Sequence, residues 1–370
     1  MSQATLPSTE FPPTAVPQPA RVPVRAGWRV VLLVGLGGVA VLLAVLAVSL
    51  GSVRIPVPDV VRAILGEPTE TASWAFIVTE IRIPRALTGL LAGAALGVAG
   101  LKMQTLFRNP LADPHLLGVN AGASFGVSLV LLGGGSALTG GVALSTMEGL
   151  GTVTAAALGA AAVMAVMLLV AALIRSTVIV IVIGVMVNAF VLAMVDMLVY
   201  YAQPEAVKTF TDWSAGSFQS VTWQALPVLA GMVLAGLVLA VLSVKRLNLF
   251  LLGEGYAESL GVSVRAFRWT LMAGAALLAG AVTAHAGPIA FLGIAAPHLA
   301  RGLLRTADHR YLIPGAAVLG ATIAVSAGIL SQLPGSEAVL PLNTTLALLG
   351  APVVTWVLVR LGRGGRGLEV

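Results

Sequence analysis

Few residues in this chain could do covalent or metal chemistry. The four histidines, His115, His285, His298 and His309, form no His-Glu-x-x-His pattern and no i,i+4 pair, so a zinc enzyme has little support. There is no cysteine, hence no thiolate nucleophile, no disulfide framework and no Cys-ligated metal. The three lysines are Lys102, Lys208 and Lys245, and none follows a glycine. A phosphate-cradling P-loop is therefore absent, and the chain is not itself an ordinary ATPase. No bound cofactor is expected, and no residue is a candidate for catalysis.

The remaining polar groups suggest conduction and docking. Asp196 is the only carboxylate in the apolar segments, and it is followed by Tyr200 and Tyr201. A buried charge in a span usually faces a cavity or partner, although an acid near the outer interface can also reach headgroup water. Lys102 stands one turn from the inner end of its segment and is expected to snorkel there. In Glu80-Ile-Arg82-Ile-Pro-Arg85, two arginines share one turn at a membrane surface. They could dock acidic residues of an external protein or anchor to headgroups. In the stretch 252–263, Glu254 and Glu258 stand four apart with Ala257 between them. Leu260 follows, and Gly261 can end a short helix. That helix would be a surface for a partner to push; a solvated loop is the alternative.

The elements that must position these groups are membrane helices. Of the 370 residues 58% are hydrophobic and only 10% charged, which leaves too little polar surface to cover a soluble domain. A span needs about 20 apolar residues. Ten segments qualify: 28–50, 84–106, 114–133, 150–173, 177–201, 225–244, 267–286, 288–304, 311–333 and 341–361. The pair 267–286 and 288–304 is divided only by Ala284-His-Ala-Gly-Pro288, which suits a tight turn or one broken helix. Residues 1–27 are Pro-rich without apolar period and read as a disordered cytoplasmic tail; 28–361 form the transmembrane domain and 362–370 a cytoplasmic C-terminal tail. With both termini inside, only Arg54, Arg62, Arg82, Arg85 and Lys208 of the 21 Lys and Arg residues fall outside. One span more or fewer destroys that bias. Leu91–Leu96 is similar to Met272–Leu277, as a five-plus-five inverted repeat would give.

Read together, the clusters resemble the FecCD-type permeases, the membrane subunits of ABC importers for ferric siderophores, haem and cobalamin. The resemblance runs from about residue 50 to 361 and rests on motifs in order. These are Arg82-Ile-Pro-Arg85, Gln104-Thr-Leu-Phe-Arg-Asn-Pro-Leu-Ala-Asp-Pro114 and Leu117-Gly-Val-Asn-Ala-Gly122. Leu252-Gly-Glu254, Leu260-Gly261, Gly287-Pro-Ile-Ala-Phe-Leu-Gly293, Pro297-His298, Arg301, Asp308-His-Arg310 and Leu349-Gly-Ala-Pro352 follow.

The resemblance implies an all-α polytopic membrane protein with about ten transmembrane helices, the type II ABC importer architecture, in the cytoplasmic (inner or plasma) membrane. It implies a second permease subunit, identical or paralogous, two cytoplasmic ATPase subunits carrying ATP-Mg, and an extracytoplasmic substrate-binding protein. On it, Arg82 and Arg85 dock the binding protein, and Glu254, Ala257, Glu258, Leu260 and Gly261 form the coupling helix. Asn109, Leu111, Ser176 and Thr177 fall where the family narrows its path. One departure stands out: the family's Ala-Asp and later Arg read Ala327-Gly328 and Gln332 here, followed by Ser336-Glu337. An ion-coupled secondary transporter is the alternative, thinly supported by one intramembrane carboxylate. An intramembrane hydrolase lacks a nucleophile–base pair.

Overall fold

The computed structural model describes residues 27–133, 150–174, 176–332 and 339–363. The N-terminal tail, Arg175, the Ser336-Glu337 loop and the end of the C-terminal tail lie outside the described residues.

The described chain is helical throughout. In order run α1 (Gly27–Ser49), α2 (Val57–Leu65), α3 (Ala72–Phe76), a π-helical turn (Ile77–Arg82), α4 (Ile83–Phe107), a 3-10 turn (Pro114–Leu117), α5 (Val119–Leu131) and α6 (Leu150–Leu173). Then come α7 (Thr177–Tyr201), α8 (Pro204–Ser214), α9 (Leu226–Leu242), α10 (Val244–Leu251), α11 (Glu254–Ser259), α12 (Val264–Ala286), α13 (Leu292–Leu304), α14 (His309–Ser331) and α15 (Leu342–Arg363). In lipid every backbone polar group must be satisfied within the protein, so apolar sequence of this length becomes helix. Among the described residues six helices are long and apolar enough to cross a bilayer, and α9 with α10, bent by 54°, makes a seventh. At 13 residues each, α5 and α13 are about 20 Å long, short of the ~30 Å hydrocarbon core. Each is extended by a lead-in, the 3-10 turn for α5 and the non-helical stretch 287–291 for α13. With α15 they complete the ten expected helices.

At Gly287-Pro288 the chain makes neither a tight turn nor one broken helix: residues 287–291 are non-helical between α12 and α13. This non-helical segment separates two helices, and its polar backbone needs partners. Asn343 supplies them, its Nδ2 donating to the Pro288 carbonyl (2.8 Å) and its Oδ1 accepting from the Ala290 N–H (3.1 Å). The His115 ring holds the Ile289 carbonyl through Nε2 (2.7 Å).

Helix α4 is the hub, packed by α14, α12, α13 and α9 and buried along nearly its whole length. Close approach is possible because glycines face backbone. A methyl group at Gly93 would overlap the Gly320 carbonyl of α14, and one at Gly100 would overlap the Gly293 carbonyl of α13. Helices α5 and α6 interlock in the same way at Gly122, Gly126 and Gly159. A Gly-x-Ser-x-Gly string, Gly122 to Gly126, therefore lies inside a helix with its glycines against α6, and not on a strand-to-helix elbow that could expose a nucleophile.

The surroundings of α4 correct the expectation for Lys102. Its side chain is fully buried, and its Nζ has no hydrogen-bond partner and lies against Gly274 of α12. Snorkelling needs a lipid or water face, and α4 offers none there.

Candidate transport site

A cavity of about 500 Å³ lies among α5, α7 and the lead-in to α13, lined by Asp113, His115, Asn120, Val185, Asn188, Ala290, Phe291 and Ile294. Local chemistry places its polar groups. Asp113 precedes the 3-10 turn and accepts the His115 N–H on Oδ1 (2.9 Å), capping that turn. Asn120 in the first turn of α5 holds its Oδ1 2.8 Å from the Thr283 hydroxyl of α12. Phe291, at the entry to α13, has φ 68°, a left-handed conformation unusual for an aromatic residue, so its ring is held at this wall by the surrounding packing. Gly350 of α15 is one of the packing partners: a Cβ there would stand 3.0 Å from that of Phe291.

Polar contacts tie this wall to the C-terminal end of α4. The Gly293 carbonyl accepts from Gln104 Nε2 (3.2 Å), and Gln104 Oε1 accepts from Arg301 (2.6 Å). One residue further, the Thr105 hydroxyl meets His309 Nε2 (2.9 Å). The other ring nitrogen of His309 donates to Asn248 Oδ1 (2.8 Å), which also accepts the His309 backbone N–H (2.9 Å). Asn248 Nδ2 then donates to Asp308, the N-cap of α14 (2.7 Å). Burial alone would raise the Asp308 carboxyl. The Arg310 N–H, the Asn248 amide and the charges of Arg310 and His309 outweigh it and hold the carboxyl below its ordinary range. Asn248 belongs to α10, immediately before α11.

The stretch read as a partner-facing helix is a helix. Residues 254–259 form α11, and Gly261 (φ 83°) closes it with Val262 N–H on the Ala257 carbonyl and Gly261 N–H on the Glu258 carbonyl. Only a residue at ease with positive φ makes this reversed double bond. Ala257 is buried, whereas Glu258, Leu260 and Tyr256 are exposed. Glu254 is not a free charge: its carboxylate takes a 2.6 Å bond from Arg268 of α12.

Arg82 and Arg85, read as docking or headgroup-anchoring residues, have buried side chains. They are only 3% and 6% exposed. Arg82 reaches the C-terminal end of α1 and donates to the carbonyls of Val48 (3.0 Å) and Ser49 (2.8 Å) there and of Val53 in the loop beyond. Gly51 makes room, since a Cβ there would stand 2.8 Å from the guanidinium. A charged group at a π turn next to unpaired loop carbonyls is better satisfied inward than in solvent, which is why two arginines on one turn did not signal this.

The four residues read as a path constriction sit at the α11 end. Asn109 Oδ1 accepts the Leu111 N–H (2.9 Å), leaving Leu111 exposed at a turn. Ser176 caps α7 through the Ile179 N–H (3.4 Å), with Thr177 next in chain. A narrow crevice joins their neighbours Leu106, Phe107, Ile174 and Val180. Asp196 lies exposed on the far half of α7, away from the residues lining the cavity. At the family departure Gly328 faces the Phe218 ring, 3.4 Å from where a Cβ would be, and Gln332 is buried. Asp113 and His115 were missed as site residues, although the Asp-Pro-His string just before a short span was the available signal. Among the described residues no group of three or more His, Asp or Glu side chains could hold a metal ion.

Among the described residues, a bundle of ten helices with a non-helical segment at a polar-walled cavity and a short exposed helix at one end fits a membrane transport permease. Residues 39–360 match the FecCD transport family, and the chain belongs to it. It is 35% identical to the hemin transport system permease protein HmuU of Yersinia pestis, covering 88% of this chain and 95% of that one. To the vitamin B12 import system permease protein BtuC of Klebsiella pneumoniae it is 35% identical, over 80% and 86% of the two chains. Among solved structures, a metal-chelate type ABC transporter in an inward-facing conformation superposes with a TM-score of 0.77 at 28% identity, covering 89% of this chain and 99% of that one. The chain is a permease subunit of an ABC importer.

Proposed function

We propose that this subunit carries an iron–siderophore complex, or haem or cobalamin, across the cytoplasmic membrane into the cell. Two such subunits, identical or paralogous, line the path. Cytoplasmic ATPase subunits close on nucleotide and move α11, and the two ends of the path open in turn. An extracytoplasmic binding protein delivers the cargo to the mouth that Arg82 and Arg85 shape. Asn109, Leu111, Ser176 and Thr177 narrow the opposite end.

The observation that carries the reading is α11. It exposes Tyr256 and Leu260, as Leu252 is exposed just before it, while Glu254 ties it to α12 and α10 ties it to the buried network. Such a helix can pass a push inward, which supports an ATP-driven subunit over an ion-coupled transporter. The test is uptake of radiolabelled ferric siderophore, haem and cobalamin in a deletion strain complemented with this chain. Accumulation of one of them, abolished when the partner ATPase cannot hydrolyse ATP, is expected. Accumulation driven by an ion gradient without the ATPase would overturn the reading.

A further inference from the structure

Arg301 and Asp308-His-Arg310 are motif residues that neither docking nor the path constriction explains, and the fold joins them to α10. Helix α10 is eight residues long, set between the 54° bend after α9 and Gly253, whose φ of 117° opens the turn into α11. Its Leu247 and Phe250 are buried, but apolar contact is non-directional. Asn248 supplies the directional contact. Its Oδ1 accepts the His309 backbone N–H (2.9 Å), one of the donors that a helix start leaves unpaired, so α10 caps α14 from outside. That bond fixes which way the amide faces, and Nδ2 then donates to the Asp308 carboxylate (2.7 Å). The contacts continue through α4. The His309 ring meets the Thr105 hydroxyl (2.9 Å), and neighbouring Gln104 holds the Gly293 carbonyl (3.2 Å) and Arg301 (2.6 Å) of α13. There α4 and α13 also touch backbone to backbone, since a Cβ at Gly100 would overlap that same carbonyl. Gly293 lies between Phe291 and Ile294, which line the cavity. Helix α11 has a second attachment, Glu254 to Arg268 of α12 (2.6 Å), and it uses none of these groups.

We propose that Asn248 is a positioning residue for transport: it locks α10 to the start of α14, so that displacement of α11 is carried through α14 and α4 to the α13 wall of the cavity. The inference deepens the importer reading and rests on it for the statement that ATPase subunits move α11. Asn248 touches no cargo; it decides whether motion at α11 arrives at the wall. Without it, α11 stays seated on α12 through Glu254. The complex should then still assemble and hydrolyse ATP, while the wall no longer responds.

The chain has no cysteine, so a single introduced thiol reports on the wall without knowledge of the cargo. Ile294→Cys on α13 and, separately, Val185→Cys on α7 are placed in the assembled importer, with its ATPase subunits, in nanodiscs. The rate of modification by trimethylammonium-ethyl methanethiosulfonate is measured without nucleotide and after trapping with ATP and vanadate. With Asn248 in place the two rates should differ by about fivefold or more, the lower end of ordinary coupling between two sites. Asn248→Ala should bring the two rates together while ATP hydrolysis persists; a purely structural role would lower assembly and hydrolysis along with the response. Asn248→Asp sets two carboxylates against each other and should also lose the response. Adding Asp308→Asn offers that new carboxylate an amide donor and should restore it, a rescue that general loosening does not predict. If Asn248→Ala does not assemble, Thr105→Val keeps α10 on α14, removes the next hydrogen bond and should shrink the response. A nucleotide response unchanged in Asn248→Ala, or in Thr105→Val where that variant serves, would overturn the joint, as would a parent chain in which neither thiol responds. The importer reading fails on another result, cargo uptake on an ion gradient without the ATPase, so the two failures are distinguishable.

Discussion

Lys102 and Arg82 show how differently one charge can be treated within a single bundle. Arg82 is buried and fully used, its guanidinium spread over three carbonyls. Lys102 is buried and unused, with Nζ beside Gly274 and no acceptor. Lys102→Met keeps an unbranched chain of similar length and removes the unpaired ammonium. It should therefore raise stability by about 1 kcal/mol or more, read as a higher unfolding midpoint in detergent. A lower midpoint would mean that the ammonium has a partner in the assembled protein. Arg82→Gln should do the reverse: each carbonyl left unpaired costs about 1–3 kcal/mol, so the variant should unfold earlier. Docking of a binding protein should weaken only as far as the mouth loosens. If affinity falls with no change in the unfolding midpoint, Arg82 touches the partner directly.

Elements impose their own demands, and the broken segment before α13 is the most exposed to mutation. Its 288–290 backbone depends on Asn343, whose amide makes one bond to Pro288 and accepts one from Ala290. Asn343→Ala orphans both, and a destabilisation of about 2–5 kcal/mol is expected, with faster proteolysis near Gly287 as its local sign. Helix α11 gives the corresponding functional prediction. Glu254→Arg replaces a 2.6 Å ion pair with Arg268 by two like charges, so α11 should detach from α12. Transport should drop at least tenfold while insertion and ATPase association persist; normal uptake would remove α11 from coupling. The sequence made α11 legible because Gly261 and the Glu spacing are local signals. The cavity was not legible, because Asp113, Asn188 and Phe291 meet only through packing of α5, α7 and α13, and no local pattern records that.

At the scale of the whole molecule, the count of ten helices and their order were readable from apolar length and basic residues, and the folded chain keeps both. Residues expected inside gather at one end: Arg29 caps the last carbonyls of α13 at Leu304 and Arg305, and Arg310 follows the N-cap of α14. Residues expected outside, Lys208 and Arg62, belong to the short helices α8 and α2. The charge bias predicts an orientation, with the basic loops on the cytoplasmic side. What the bias could not reveal is that α5 and α13 fall short of the bilayer, since apolar length does not distinguish a helix from a lead-in that is not α-helical. The cysteine-free chain lets the orientation be tested without background. Glu258→Cys on α11 should be labelled by a membrane-impermeant maleimide only in inside-out vesicles, and Lys208→Cys on α8 only in right-side-out ones. Labelling of both from one side would mean an odd number of crossings between α8 and α11 is wrong, and with it the placement of α11 against an ATPase.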